Sequence, residues 1–128
     1  MQGLHLTADL TGVDPALAPM RDADALATLC RSAVAASGLA GVAELFHRFG
    51  PAEEQGGITG VVLLAESHLA VHTWPELGGV TLDVYVCNYG ADNSAKAEAL
   101  MVALIAAFAP ALVNRQSLKR AAASTPAV

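Results

Sequence analysis

Residues 58–87 read ITGVVLLAESHLAVHTWPELGGVTLDVYVC, and three apolar runs within them decide the fold. Residues 58–65 are apolar at nearly every position, the pattern of a central strand covered on both faces. Residues 68–74 read as a second strand, with His68, Ala70, His72 and Trp74 sharing one face by the two-residue period. Pro75 stops it. In residues 80–87, Val80, Leu82, Val84 and Val86 alternate with Thr81, Asp83, Tyr85 and Cys87, the cleanest strand pattern in the chain.

Working outward, Leu4, Leu6, Ala8 and Leu10 alternate with more polar positions and predict a half-buried strand. Residues 11–19 hold Gly12, Pro15 and Pro19 and read as a loop. Asp22 and Asp24 open a helix carrying Leu26, Leu29, Cys30, Ala33 and Val34 on one face, and Gly38 closes it as a left-handed cap. Residues 42–49 fit another strand, and residues 50–57 form a charged, glycine-containing connection. Asn93 or Ser94 caps a second helix that runs to about Ala109, with Ala97, Leu100, Met101, Leu104, Ile105 and Phe108 inward. Pro110 ends that helix, and residues 111–119 add an edge strand. The order β-α-β-β-β-β-α-β predicts an α+β fold, a two-layer sandwich of an antiparallel β-sheet with two helices packed on one face. The other sheet face then needs a cover, which points towards a dimer. Residues 1–120 are read as a single domain and residues 121–128 as a disordered tail.

The hydrophobic fraction of 54% is high for 128 residues, even though alanine inflates it, and the surplus also suggests a subunit interface. No apolar run is long enough to span a bilayer, and the first ten residues lack the basic start and apolar core of a secretory signal. Two cysteines, Cys30 and Cys87, are too few to staple a secreted scaffold, so a cytoplasmic location is expected. The net charge of −5 excludes a nucleic-acid binder, since the seven Lys and Arg residues are scattered. An acidic balance mildly favours cationic substrates.

Taken blind, the polar residues in these strands have plain readings. Ser67 is a turn serine between two strands. Cys87 is a small buried hydrophobe at a strand end, and Cys30 is the same on a helix. His68 and His72 stand four apart, as zinc ligands on a helix do, but Thr73, Trp74 and Pro75 disfavour a helix and no CxxC or HExxH accompanies them. No metal site is expected. His5, His47 and His68 read as structural. Phe46 and Phe49 cannot share a strand face without a bulge, so one belongs to the core and the other to a pocket.

Context changes several of these readings. GITGVVLLAESHLAVHTWPE at residues 57–76, DVYVC at 83–87, FHRF at 46–49 and the opening HLTADL at 5–10 together resemble the small bacterial and archaeal S-adenosylmethionine decarboxylases. The resemblance runs in order over roughly residues 3–110. That family is pyruvoyl-dependent, and the resemblance implies that the chain cuts itself between Glu66 and Ser67 into a β chain, 1–66, and an α chain, 67–128. The Ser67 hydroxyl would attack the Glu66 carbonyl, turning the amide into an ester. Loss of the Ser67 α-proton would expel the ester as a carboxylate, and the dehydroalanine left behind would hydrolyse to pyruvoyl with release of ammonia.

By the same resemblance His72 handles protons during processing, and Thr59, where the family often has serine, is the candidate for an assisting hydroxyl. The pyruvoyl group would form a Schiff base with the substrate amine and act as the electron sink for loss of CO2. Cys87 would protonate the resulting carbanion. Phe49 matches an aromatic that stacks on adenine, and Trp74 and Glu76 match positions lining the same pocket. The implied assembly is a homodimer of cleaved αβ units whose pockets draw on both protomers. The implied product is decarboxylated S-adenosylmethionine, the aminopropyl donor for spermidine biosynthesis.

Three departures bear on the substrate. Gly79 stands where the family commonly has an aromatic after TWPE. Cys87 is followed by Asn88 and Tyr89 where glycine is usual, and the loop after Phe49 is several residues longer. They keep open a pyruvoyl-dependent arginine or ornithine decarboxylase, making agmatine or putrescine. A reading of another class is an inactive homologue that acts as a regulatory binding subunit. Against it, every residue the chemistry needs is present.

Overall fold

The computed structural model describes residues 2–51, 54 and 56–121. Six strands and three helices follow in the order β1 (Gln2–Thr11), α1 (Ala18–Arg21), α2 (Ala23–Ser37), β2 (Gly41–Arg48), β3 (Ile58–Leu64), β4 (Ser67–Trp74), β5 (Gly79–Cys87), α3 (Ser94–Phe108) and β6 (Leu112–Ala121). The strands form one sheet in the order β2-β3-β4-β5-β1-β6. All neighbouring strands are antiparallel. This is the α+β two-layer sandwich that the sequence predicts, with both long helices on one face.

The alternation explains why the layer forms. Leu6, Ala8 and Leu10 of β1, Leu69 and Val71 of β4, and Val80, Leu82, Val84 and Val86 of β5 point to the helical side and are buried. They meet Leu26, Cys30 and Val34 of α2 and Leu100, Met101, Leu104 and Phe108 of α3. Local chemistry sets the helix ends. The Asp22 carboxylate accepts from the N–H groups of Asp24 and Ala25, and Gly38 takes the left-handed cap at φ 88°. At the far end of α3, Ala109 is left-handed and Pro110 follows.

Three sequence readings need correction. Residues 11–19 are not all loop, because Ala18 and Pro19 start a one-turn helix, where proline in the first turn lacks only an N–H that would go unpaired anyway. Strand β3 is covered on one face only, since Ile58, Val62 and Leu64 are buried while Leu63 is 47% exposed. Its apolar open-face residues, Val61 and Leu63, mimic a doubly covered strand in one dimension. Ala121, read as tail, is the last residue of β6, and residues 122–128 lie outside the described residues. Among the described residues no helix is long and apolar enough to cross a membrane.

One buried polar residue ties the sheet to α1. Thr73, 2% exposed, donates its hydroxyl to the Met20 carbonyl and accepts from the Ile58 N–H, both at 3.0 Å. Gly60 serves β2 in a different way, since a side chain there would overlap the Phe46 ring that covers it. Thr73→Val keeps the shape but leaves a buried N–H and a buried carbonyl unpaired. It should lower unfolding free energy by about 2 kcal/mol, measured by urea titration. A change below about 0.5 kcal/mol would show that water satisfies both groups.

Candidate active site

The connection between β3 and β4 is as tight as a hairpin allows. Leu64 and Ser67 pair across it, so Ala65 and Glu66 make the whole turn. Glu66 adopts a left-handed backbone at φ 53°, which costs a non-glycine residue on the order of 1 kcal/mol. The Glu66–Ser67 peptide bond therefore lies on an exposed, strained corner. Across the sheet the Cys87 backbone N–H donates to Ser67 Oγ at 3.0 Å, and the Tyr89 N–H donates to Cys87 Sγ at 3.5 Å. Glu66, Tyr85, Cys87 and Tyr89 line a cleft of about 350 Å³ at this corner.

Tyr85, which lines the cleft, is surrounded by other rings on the open face of the sheet. His68 stacks on Tyr85 with centroids 5.7 Å apart, and His5 meets the Tyr85 ring edge-on at 6.2 Å. The Arg120 guanidinium lies 5.7 Å from the centroid of the same ring. Gly3 is the residue beneath Tyr85, and a side chain there would collide with the phenol. His5 Nε2 is buried without a hydrogen-bond partner among the described residues, with Asp83 Oδ1 4.0 Å away. Burial, and then the nearby His5, hold the His68 imidazole below its ordinary value, with Asp83 pulling the other way.

A second cleft, of about 300 Å³, opens at the opposite end of β4 and is lined by Phe49, Thr59, His72, Trp74 and Glu76 among others. Thr59 and His72 face each other across β3 and β4, with Thr59 Oγ1 3.0 Å from His72 Nδ1. His72 stacks on Trp74 at 5.8 Å. Phe46 packs against the core, whereas Phe49 is 53% exposed and touches the His47 ring edge-on at 4.6 Å.

The eight residues singled out from sequence thus fall into two groups. Glu66, Ser67 and Cys87 gather at one end of β4. Thr59, His72, Phe49, Trp74 and Glu76 gather at the other. Ser67 and His72 are five residues apart on one extended strand, roughly 16 Å at the usual rise. Within a single chain His72 and Thr59 do not reach Ser67. The residues fit a serine-derived pyruvoyl group in other respects. A hydroxyl sits beside a strained carbonyl, and a thiol-bearing residue is hydrogen-bonded to it.

Sequence reading passed over Tyr85 as a member of the cleft and His5 as its neighbour. The period-two pattern already placed Tyr85 beside Cys87, but the pairing of His5 with Tyr85 depends on β1 meeting β5 from 80 residues away in the chain. Among the described residues no group of three or more His, Cys, Asp or Glu side chains could hold a metal ion.

Comparison with known proteins adds an independent line. Residues 4–121 match the family described as S-adenosylmethionine decarboxylase. The chain is similar to the S-adenosylmethionine decarboxylase proenzyme of Hydrogenobaculum sp. (strain Y04AAS1), 38% identical over 118 residues covering 92% of this chain and 81% of that one. It is 37% identical to the proenzyme of Aquifex aeolicus (strain VF5), over 92% of this chain and 80% of the relative. The crystal structure of the adenosylmethionine decarboxylase from Aquifex aeolicus VF5 superposes with a TM-score of 0.83 at 34% identity, covering 98% of this chain and 96% of that one.

The His68 environment yields a pH prediction. The folded state holds the imidazole neutral below the ordinary value of 6.5, so the unfolded chain takes up the proton first. This contribution to stability is full above about pH 6.5 and is lost as pH falls through the depressed folded value. The groups facing His68 are His5, Asp83 and Tyr85. Urea midpoints should fall between pH 7.5 and 5.5, and His68→Gln should make that fall shallower. An unchanged slope in His68→Gln would remove His68 as a source of the effect.

Proposed function

The chain belongs to the S-adenosylmethionine decarboxylase family, and we propose that it is a self-cleaving enzyme that removes the carboxylate of S-adenosylmethionine. The observation that carries this reading is Ser67. Its hydroxyl follows a left-handed Glu66, is hydrogen-bonded to the Cys87 backbone, and stands at the corner of a cleft that Cys87 lines.

The strained corner is suited to the first step. The Ser67 Oγ attacks the Glu66 carbonyl carbon, the amide C–N bond breaks, and an ester joins Glu66 to the Ser67 side chain while the Ser67 nitrogen becomes a free amine. Removal of the Ser67 α-proton then breaks the Cβ–O bond and releases Glu66 as a carboxylate. Hydrolysis of the remaining enamine leaves a pyruvoyl group at the head of fragment 67–128. That group supplies an electron-poor ketone that condenses with a primary amine and draws in the electrons left by departing CO2. Cys87 delivers the proton that replaces the carboxylate, a role supported by its place in the lining of the cleft beside Glu66 and by its backbone hydrogen bond to Ser67.

The two-ended arrangement leads to a dimer. The open face of the sheet carries half-exposed side chains, with Leu63 at 47% exposure, and among the described residues nothing covers it. Two copies stacked through that face about a twofold axis bring the His72 end of one β4 over the Ser67 end of the other. His72 of the partner subunit, with its Thr59 hydrogen bond, then handles the proton at Ser67, and the partner's Phe49, Trp74 and Glu76 bind the nucleoside. Aromatic faces suit adenine, and the Glu76 carboxylate suits ribose hydroxyls. The unpaired Cys30 and Cys87 accord with action in the reducing cytoplasm. The product serves as an aminopropyl donor for spermidine.

Release of labelled CO2 from carboxyl-labelled S-adenosylmethionine tests the activity. Wild type should release it, Ser67→Ala should release none, and Cys87→Ala should lose activity by about a hundredfold or more while still cleaving. Failure of the wild type, with release from arginine or ornithine instead, would overturn the substrate. Shared sites give a second test. Ser67→Ala and His72→Ala chains, each inactive alone, should regain activity when expressed together, because the mixed dimer holds one intact site. No recovery from a mixture shown to contain heterodimers would refute composite sites.

A further inference from the structure

The loop after Cys87 departs from what helix chemistry alone would select. Asn93 occupies the N-cap of α3, where an asparagine side chain ordinarily accepts from the first-turn N–H groups, yet it makes no capping bond. Its Nδ2 turns back and donates to the Cys87 carbonyl at 2.8 Å, while the Asp92 carboxylate accepts from the Ser94 N–H at 2.9 Å. Asn88 closes the loop from the other side. Its Oδ1 accepts from the Asn93 N–H at 2.8 Å, its Nδ2 donates to Ser94 Oγ at 3.1 Å, and its own N–H donates to the Gln2 carbonyl at 2.7 Å.

The consequence falls on one residue. The Cys87 N–H, carbonyl and sulfur are each held, by Ser67, Asn93 and Tyr89 respectively. We infer that Asn88 and Asn93 are positioning residues that lock Cys87 beside position 67, so that its thiol is held ready for the substrate carbon that loses the carboxylate. Glycine at position 88 could supply neither of the two side-chain bonds, so the lock is a property of this chain. The inference rests on the proposed role of Cys87 as proton donor.

Both cysteines make the test self-controlled. Cys30 is fully buried and its thiol is pushed up to about 12, chiefly by that burial, so it reports loosening of the fold and little else. Cys87 is 8% exposed and locked. Alkylation of the whole protein by iodoacetamide, read at each cysteine by peptide mass spectrometry, is paired with steady-state kinetics on S-adenosylmethionine. In Asn93→Ala, Cys87 should alkylate about tenfold faster and kcat should fall about tenfold, with KM within about twofold, Cys30 labelling unchanged and self-cleavage complete. Asn88→Asp keeps the acceptor for the Asn93 N–H, so both readouts should fall between wild type and Asn88→Ala.

Wild-type rates at both thiols and in kcat for Asn93→Ala would overturn the lock. If Cys30 also labels faster in Asn93→Ala, the whole fold has loosened, and the position-88 pair decides: Asn88→Asp no better than Asn88→Ala overturns the lock. A wild-type chain that neither cleaves nor turns over would instead fail the proposed function.

Discussion

The hydrogen bond from the Cys87 N–H to Ser67 Oγ is the contact on which the rest depends, because it joins the first residue of β4 to the last residue of β5. It exists only if the two strands pair in one register, with His68 opposite Tyr85 and Trp74 opposite Gly79. A slip of β4 by one residue would send Leu69 and Val71 to the open face and break the core. The hydrophobic layer therefore fixes the chemical pair. The tight Ala65-Glu66 turn then puts a left-handed residue immediately before the serine, so strain and hydroxyl lie on adjacent residues.

The same sheet geometry divides the remaining polar residues. Thr59 and His72 are bonded to each other at the far end of β4, beside Phe49, Trp74 and Glu76, and a rigid strand holds them away from Ser67. Glu66, Ser67 and Cys87 thus stand at one end of β4 and the aromatic cleft at the other. The open face between them carries His5, His68, Tyr85, Asp83 and the partly exposed Leu63. The stacked dimer proposed above would account for both the divided residues and the open apolar surface.

Much of the fold was legible because local chemistry and periodicity agree. The alternation in β1, β4 and β5, the Asp22 cap and Gly38 each specify one conformation. The strand order was not legible, since β1 reaches β5 and β6 through contacts distant in sequence. Helix α1 was hidden because Pro15 and Pro19 signal a loop, while proline also suits a first helical turn. Strand β3 misled because an apolar face left open looks the same in sequence as one already buried. For the site, residue types and motif spacing singled out side chains that the fold gathers at the two ends of β4. Five residues of separation look close in a sequence, however, and an extended strand turns them into roughly 16 Å. Nor could the turning back of Asn93 be foreseen, because its position alone predicts a cap.

The central claim is that the chain surrenders the Glu66–Ser67 bond to the serine beside it. Intact mass spectrometry of the purified protein under denaturing conditions addresses this most directly. The account predicts two species, residues 1–66 with an ordinary carboxyl end and residues 67–128 beginning with a ketone that borohydride reduces. A single species with the mass of all 128 residues would contradict it.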